Sequence, residues 1–206
     1  MDIVIFMPKV PNMIESEAVE ESVDMMNTKC VLMAKKGKHA EAIACYDDMI
    51  RTFGPSYGLA NYMKGAILVG KGEYERARAC FIESEKIAPD NADTKMGLAF
   101  CAARTNRKAE AVKNMNEALE LVPGEVKILI TAALLSFELG DSKKGEEMIK
   151  KAFKISPYTA FNYMEAASNG FLSNPALNAS QKKEIESLLS KSRDIIKEMK
   201  AKSKKK

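Results

Sequence analysis

The 206-residue sequence has no tryptophan, one histidine, four cysteines, 11 glycines and 7 prolines. Each scarcity closes a route. Cys30, Cys45, Cys80 and Cys101 form no CxxC pair and have no companion histidine pair, so their spacing matches no zinc site. The single histidine, His39, falls in the turn after Gly37 and leaves nothing from which to build a catalytic triad or a metal cluster. With 46% hydrophobic and 29% charged residues, the chain stands apart from collagen-like, disordered and membrane sequences. The longest apolar runs are about eight residues, well short of a membrane span. The run from Ile3 to Met7 follows Asp2 and is ended by Pro8, which does not make a secretory signal. All four cysteines lie in helical apolar patterns, where free thiols behave as small buried hydrophobes. The expectation is a reducing compartment, and the cytoplasm fits best.

An excess of one charge is also missing from the body of the chain. The net charge is +4, but Lys197, Lys200, Lys202, Lys204, Lys205 and Lys206 against Glu198 place +5 in the last ten residues. The remainder sums to −1, so no basic face is implied. Attraction to nucleic acid or an anionic membrane would be confined to the tail, which reads better as a solvated, frayed end.

What the sequence does have is a period. Pro55, Pro89, Pro123 and Pro157 recur every 34 residues. Before each proline stands a small residue, Ala42, Ala77, Ala111 or Gly145, and four positions after it a larger one, Tyr46, Phe81, Met115 or Ile149. Each pair shares one helical face. Ahead of the small residues come Gly37, Gly72, Asn106 and Gly140, residues that tolerate the left-handed conformation that ends a helix. Each period therefore reads as helix, tight turn, helix, proline. The interval from Gly37 to Gly72 is one residue longer, which is assigned to Gly54 before Pro55.

These residues resemble the tetratricopeptide repeat family, whose pattern sets a Leu-Gly pair and a Tyr on the first helix, Ala and Phe on the second, and then Pro. Repeat two matches through Gly65, Leu68, Ala77, Phe81 and Pro89, and repeat three through Leu98, Ala99, Ala111, Met115 and Pro123. Repeat four is looser, with Ala132, Ala133, Gly145, Ile149 and Pro157, and repeat one keeps Cys30, Ala42, Tyr46 and Pro55. The resemblance implies an all-α, right-handed superhelical solenoid of antiparallel helix pairs. Four repeats are clear; an imperfect fifth and a C-terminal capping helix follow.

The expected organisation is an extended arm over 1–11, repeats over 12–157 with a long first helix from about residue 13, the fifth repeat and cap over 158–200, and a lysine-rich tail over 201–206. Asn12 with Glu15 gives a capping-box start. The fifth repeat's first helix is expected from about Thr159 to Gly170, with an irregular stretch to Ser180. The cap, from about Gln181 to Lys200, carries Ile185, Leu188, Leu189, Ile195, Ile196 and Met199 on one stripe.

The two helices of a repeat differ in kind. Second helices are amphipathic, as Tyr74, Ala77, Phe81 and Ile87 set inward against Glu75, Arg76, Arg78 and Glu83 show. First helices are apolar nearly all round and need cover on every side. In the resembling family they line the concave groove. Carried onto this chain, the groove positions are Asn27, Val31, Leu59, Tyr62, Ala66, Val69, Met96, Phe100, Arg104, Ile130, Leu134 and Phe137. An apolar strip of that size suits an amphipathic helix or extended apolar peptide, anchored by Tyr62, Met96, Phe100 and Phe137 and oriented by Asn27 or Arg104. The same side chains could instead be covered by neighbouring repeats, by the chain's own terminus or by a sister subunit. The carboxylate clamp of some family members is disfavoured, because Tyr62, Met63 and Met96 stand where polar residues would be needed.

The string from Gly65 to Gly72 imitates a phosphate-binding loop, but it lies on a helix and Gly72 replaces the hydroxyl residue that would hold magnesium. Asp47 and Asp48 read as solvating charge. The expected function is an adaptor or scaffold that holds another polypeptide, with a homo-oligomeric scaffold as the alternative. No enzyme activity, metal or cofactor is expected.

Overall fold

The computed structural model describes residues 13–54, 58–172, 174–175 and 177–203, and over these the chain forms ten helices. They are α1 (Met13–Lys35), α2 (His39–Phe53), α3 (Gly58–Gly70), α4 (Tyr74–Ile87), α5 (Ala92–Arg104), α6 (Lys108–Leu121), α7 (Val126–Leu139), α8 (Ser142–Ile155), α9 (Pro157–Leu172) and α10 (Ala179–Ser203). Consecutive helices pack as antiparallel pairs, and each pair packs on the next. The arm at 1–11, the Asn12 cap, Pro55 and Lys204 to Lys206 lie outside the described residues.

The turns inside the first four pairs are each set by one left-handed residue. Gly37 and Gly72 have φ 76°, Gly140 has φ 90°, and Asn106, whose short polar side chain tolerates this region, has φ 60°. Past the turns, the small and large residues of the period meet as their spacing requires. Ala42, Ala77 and Ala111 are fully buried, as is Tyr46, and Phe81 and Met115 are nearly so. The Phe81 ring fixes two glycines at once: a β-carbon at Gly65 on α3 would come within 2.8 Å of it, and one at Gly97 on α5 within 2.7 Å.

Local signals fix several helix starts. The Asn91 side chain accepts from the Thr94 amide at 2.9 Å, and that of Asp141 from the Lys144 amide at 3.1 Å. Asn178 and Gln181 form a reciprocal capping pair at the start of α10. Gln181 Nε2 also donates to the carbonyls of Phe137 and Glu138, which pins α10 to the end of α7.

The core falls into three parts. One belongs to repeat one and the facing side of α3, one lies around Phe81, and the largest runs from Met96 and Met115 through α7 to Phe171, Leu177, Ile185 and Leu189. Helix α7 is its centre, with ten of its 14 residues buried.

Four expectations need correction. Cys30 and Cys45 are joined by a disulfide between α1 and α2, so two of the four cysteines are not free thiols. The ground for inferring a reducing, cytoplasmic compartment is thereby removed. Cys80 and Cys101 are free, and burial pushes the Cys101 thiol up to about 12. Ile87, assigned inward, is 37% exposed because it sits in the last turn of α4. His39 opens α2 rather than lying in the turn, and α9 runs through Leu172, so the irregular stretch before α10 is shorter than the sequence suggested. No helix among the described residues is long and apolar enough to cross a membrane.

Candidate functional site

The inner face of α3, α5 and α7 holds a cleft of about 240 Å³. Tyr62, Ala66 and Val69 form one wall, Met96, Gly97 and Phe100 the floor, and Ile128 and Thr131 the other wall, with Asp93 and Lys127 at one edge. The spacing that builds it is the repeat itself, since Tyr62 and Met96, like Ala66 and Phe100, stand 34 residues apart. Each pair therefore takes the same place on successive first helices.

The polar edge is an ion pair, with Lys127 Nζ 2.6 Å from Asp93 Oδ1. Burial pulls the Lys127 ammonium down, but the hydrogen bond and charge of Asp93 more than offset it, and the group ends above its ordinary value. Burial and then the Asp93 charge raise the Tyr62 hydroxyl, which keeps it a neutral hydrogen-bond donor. Its ring lies 5.7 Å from that of Phe81. An apolar trough with one charged pair and one phenol at its rim suits a ligand that is mostly hydrocarbon and has a polar end.

Of the twelve groove positions, the structure brings Tyr62, Ala66, Val69, Met96 and Phe100 together around this cleft. Leu59 is 49% exposed but does not line it. Val31 is half-buried on α1, away from the cleft. Asn27 is committed inside repeat one, where its side-chain oxygen accepts from the Tyr46 hydroxyl at 3.3 Å.

In repeat four the assignment fails. Ile130, Leu134 and Phe137 are fully buried. Ile130 and Leu134 are covered because α9 packs along α7, carrying Phe171 in its last turn, and the segment after it adds Leu177 to the same core. Phe137 faces the other way, onto the backbone of α8, where a β-carbon at Gly145 would come within 2.8 Å of its ring.

Arg104 is likewise unable to orient a ligand. Its side chain is 4% exposed, and its guanidinium lies 4.6 Å from the Phe100 ring, 5.6 Å from Phe171 and 6.0 Å from Tyr74. Glu138 is its counter-ion at 3.1 Å and also accepts from Asn174 at 2.8 Å. Burial raises the Glu138 carboxyl above its ordinary value, although Arg104 and Asn174 pull the other way. Among the described residues Arg104 Nε and Nη2 and Glu138 Oε2 are buried without a hydrogen-bond partner, so the pair is held by charge and by its aromatic surround.

Sequence reasoning missed Asp93, Lys127 and Glu138, and the signal was present. Asp93 and Lys127 are one repeat apart with opposite charge, as are Arg104 and Glu138.

Paired helices, left-handed turns and a first-helix cleft define an α-helical repeat solenoid. The tetratricopeptide repeat family matches over residues 34–81, 62–126 and 126–159, and the chain belongs to that family. Among curated proteins it is 29% identical over 89 residues to mouse interferon-induced protein with tetratricopeptide repeats 3, covering 42% of this chain and 22% of that protein. It is 28% identical over 127 residues to cellulose synthase operon protein C of Pseudomonas fluorescens, covering 57% and 10%. The matched segments span about a fifth and a tenth of those relatives.

Among solved structures, MamA of Desulfovibrio magneticus superposes with TM-score 0.56 at 20% identity over 66% of this chain and 76% of that one. YrrB, described as a TPR protein with an unusual peptide-binding site, gives 0.54 at 17% over 87% and 91%. A tetratricopeptide repeat protein of Parabacteroides merdae gives 0.58 at 16% over 83% and 71%. At these identities the likeness is one of fold.

Proposed function

We propose that this chain is a binding scaffold that holds an apolar helix or extended peptide of another polypeptide in the cleft between α3, α5 and α7. The observation that carries the reading is the cleft itself, a trough walled by Tyr62, Val69, Met96 and Phe100 that the chain's own C-terminal part leaves open while it covers the same face of α7. In this reading the repeats within 12–157 carry the site, and 158–200 closes its far end. The peptide-binding site named for YrrB is in keeping with a polypeptide ligand. The role is one of recognition rather than catalysis.

Ala66 offers the cleanest test, because it is exposed on the cleft wall and a larger side chain there fills the trough without entering the core. Selection from a displayed peptide library is expected to enrich apolar or amphipathic sequences, with binding lost in Ala66→Glu at unchanged helicity. Enrichment of the same peptides by the variant overturns the assignment of this cleft.

A further inference from the structure

Helix α1 is unlike the other first helices. It has 23 residues, about 35 Å at 1.5 Å per residue, where the first helices of the later repeats have 13 to 16. It packs principally against α2. Its opposite face carries Met25, at 66% the most exposed of the large apolar residues, and Leu32, at 49%. These two, with Thr28, Lys29 and Lys36, border a shallow depression of about 410 Å³ that reaches round to Met33, to Lys38 and to Glu41 at the start of α2.

Charge on this helix is sorted along its length. Glu20, Glu21 and Asp24 lie to the N-terminal side, Lys29, Lys35 and Lys36 to the C-terminal side, and all six are exposed. The sequence adds Glu15 and Glu17 to the acidic half. Elsewhere oppositely charged side chains pair across helices, as Arg78 does with Glu110 and Lys95 with Glu117, yet none of these six forms an ion pair among the described residues. One stripe runs Glu21, Met25, Thr28, Leu32, Lys35, with spacings of four, three, four and three residues, the alternation that lines one seam of a helix pair. It is also nearly symmetric in chemistry: Glu21 and Lys35 each stand seven residues from Thr28, and Glu20 and Lys36 flank the stripe on opposite sides.

We infer that this face docks a second copy of the same chain, α1 against α1, antiparallel about a two-fold axis near Thr28. Reversal about that point sets Glu21 against Lys35 of the second copy, twice, and brings Met25 close to Leu32. A self-complementary patch is what a two-fold dimer requires. A parallel pairing would oppose like charges, and an uncharged partner would leave Glu21 and Lys35 without a counter-charge across the seam. One helix pair gives an interface at the small end of the range for specific complexes, so the dimer is reversible, concentration-dependent and weakened by salt. The inference is independent of the cleft reading, because α1 contributes nothing to the cleft.

The test is light scattering over a concentration series with three forms of the full chain. The unmodified chain is expected to move from monomer to twice that mass as concentration rises. The double variants Glu20→Lys with Glu21→Lys, and Lys35→Glu with Lys36→Glu, each present one sign along the seam and are expected to stay monomeric. An equimolar mixture of the two is expected to recover the doubled mass, a rescue that a folding defect cannot produce. A monomer at every concentration, a dimer that survives both swaps, or a mixture that stays monomeric overturns the inference. Ala66→Glu is expected to leave the dimer intact.

Discussion

In the first repeat Cys30 occupies the place that Gly65, Ala99 and Ala133 hold further along, and it is bonded to Cys45 on the opposing helix. In the fourth repeat Ala133 and Gly145 leave a gap that Phe137 fills, and the helices there are joined by packing alone. The difference follows from position. Helix α7 has α5, α6, α8, α9 and α10 to pack against and buries ten residues, whereas α1 has α2. A helix with one packing neighbour among the described residues gains little from stacking. A covalent link restrains the unfolded chain instead, by roughly 3 kcal/mol for a loop of about fifteen residues on the chain-entropy account.

That contrast can be broken most severely in the dense half. Ala111 is fully buried on α6, and Ala111→Arg forces a charge with no counter-ion into the core. The expected loss is about 4–5 kcal/mol or more, read as a sharp fall in melting temperature; an unchanged transition would show that α6 does not pack as described. Next in size is the buried pair of Arg104 and Glu138. Glu138→Leu strands Arg104 among its aromatic rings at a cost of about 3–5 kcal/mol, while adding Arg104→Met is expected to recover most of it. Chemical denaturation of the single and double variants decides, and a double variant no better than the single would mean that the charges are not coupled. Smallest is the staple. Reduction of the disulfide, or Cys30→Ala with Cys45→Ala, is expected to cost about 3 kcal/mol. Faster amide exchange should be confined to α1 and α2, and acceleration spread evenly through α7 would erase the contrast.

The fold was legible because a solenoid repeats its instructions. The prolines set the period, and Gly37, Gly72, Asn106 and Gly140 fell at the turns because few residues tolerate positive φ. Half of the cleft was legible for the same reason, since Tyr62, Met96, Ala66 and Phe100 recur in register. Ile130 and Leu134 occupy equivalent register, and nothing local distinguishes them from Met96 and Phe100, which line the cleft. Their cover comes from α9, which carries Phe171, and from Leu177 beyond it, where the chain departs from its period. The disulfide was hidden for another reason. Two cysteines on the opposed helices of one hairpin look like two small apolar residues until the backbone sets their Cα atoms 5.5 Å apart.

Phe81 has a consequence for how this sequence can change. Its ring touches the place where a β-carbon would stand at Gly65 and at Gly97, which belong to different repeats. The two glycines are therefore bound to a common history. A side chain at either is tolerated only after residue 81 shrinks, and once it has shrunk the constraint on both is lifted together. Positions 65, 81 and 97 should drift as a trio among descendants of this chain, a linkage that reaches across a repeat boundary through one ring.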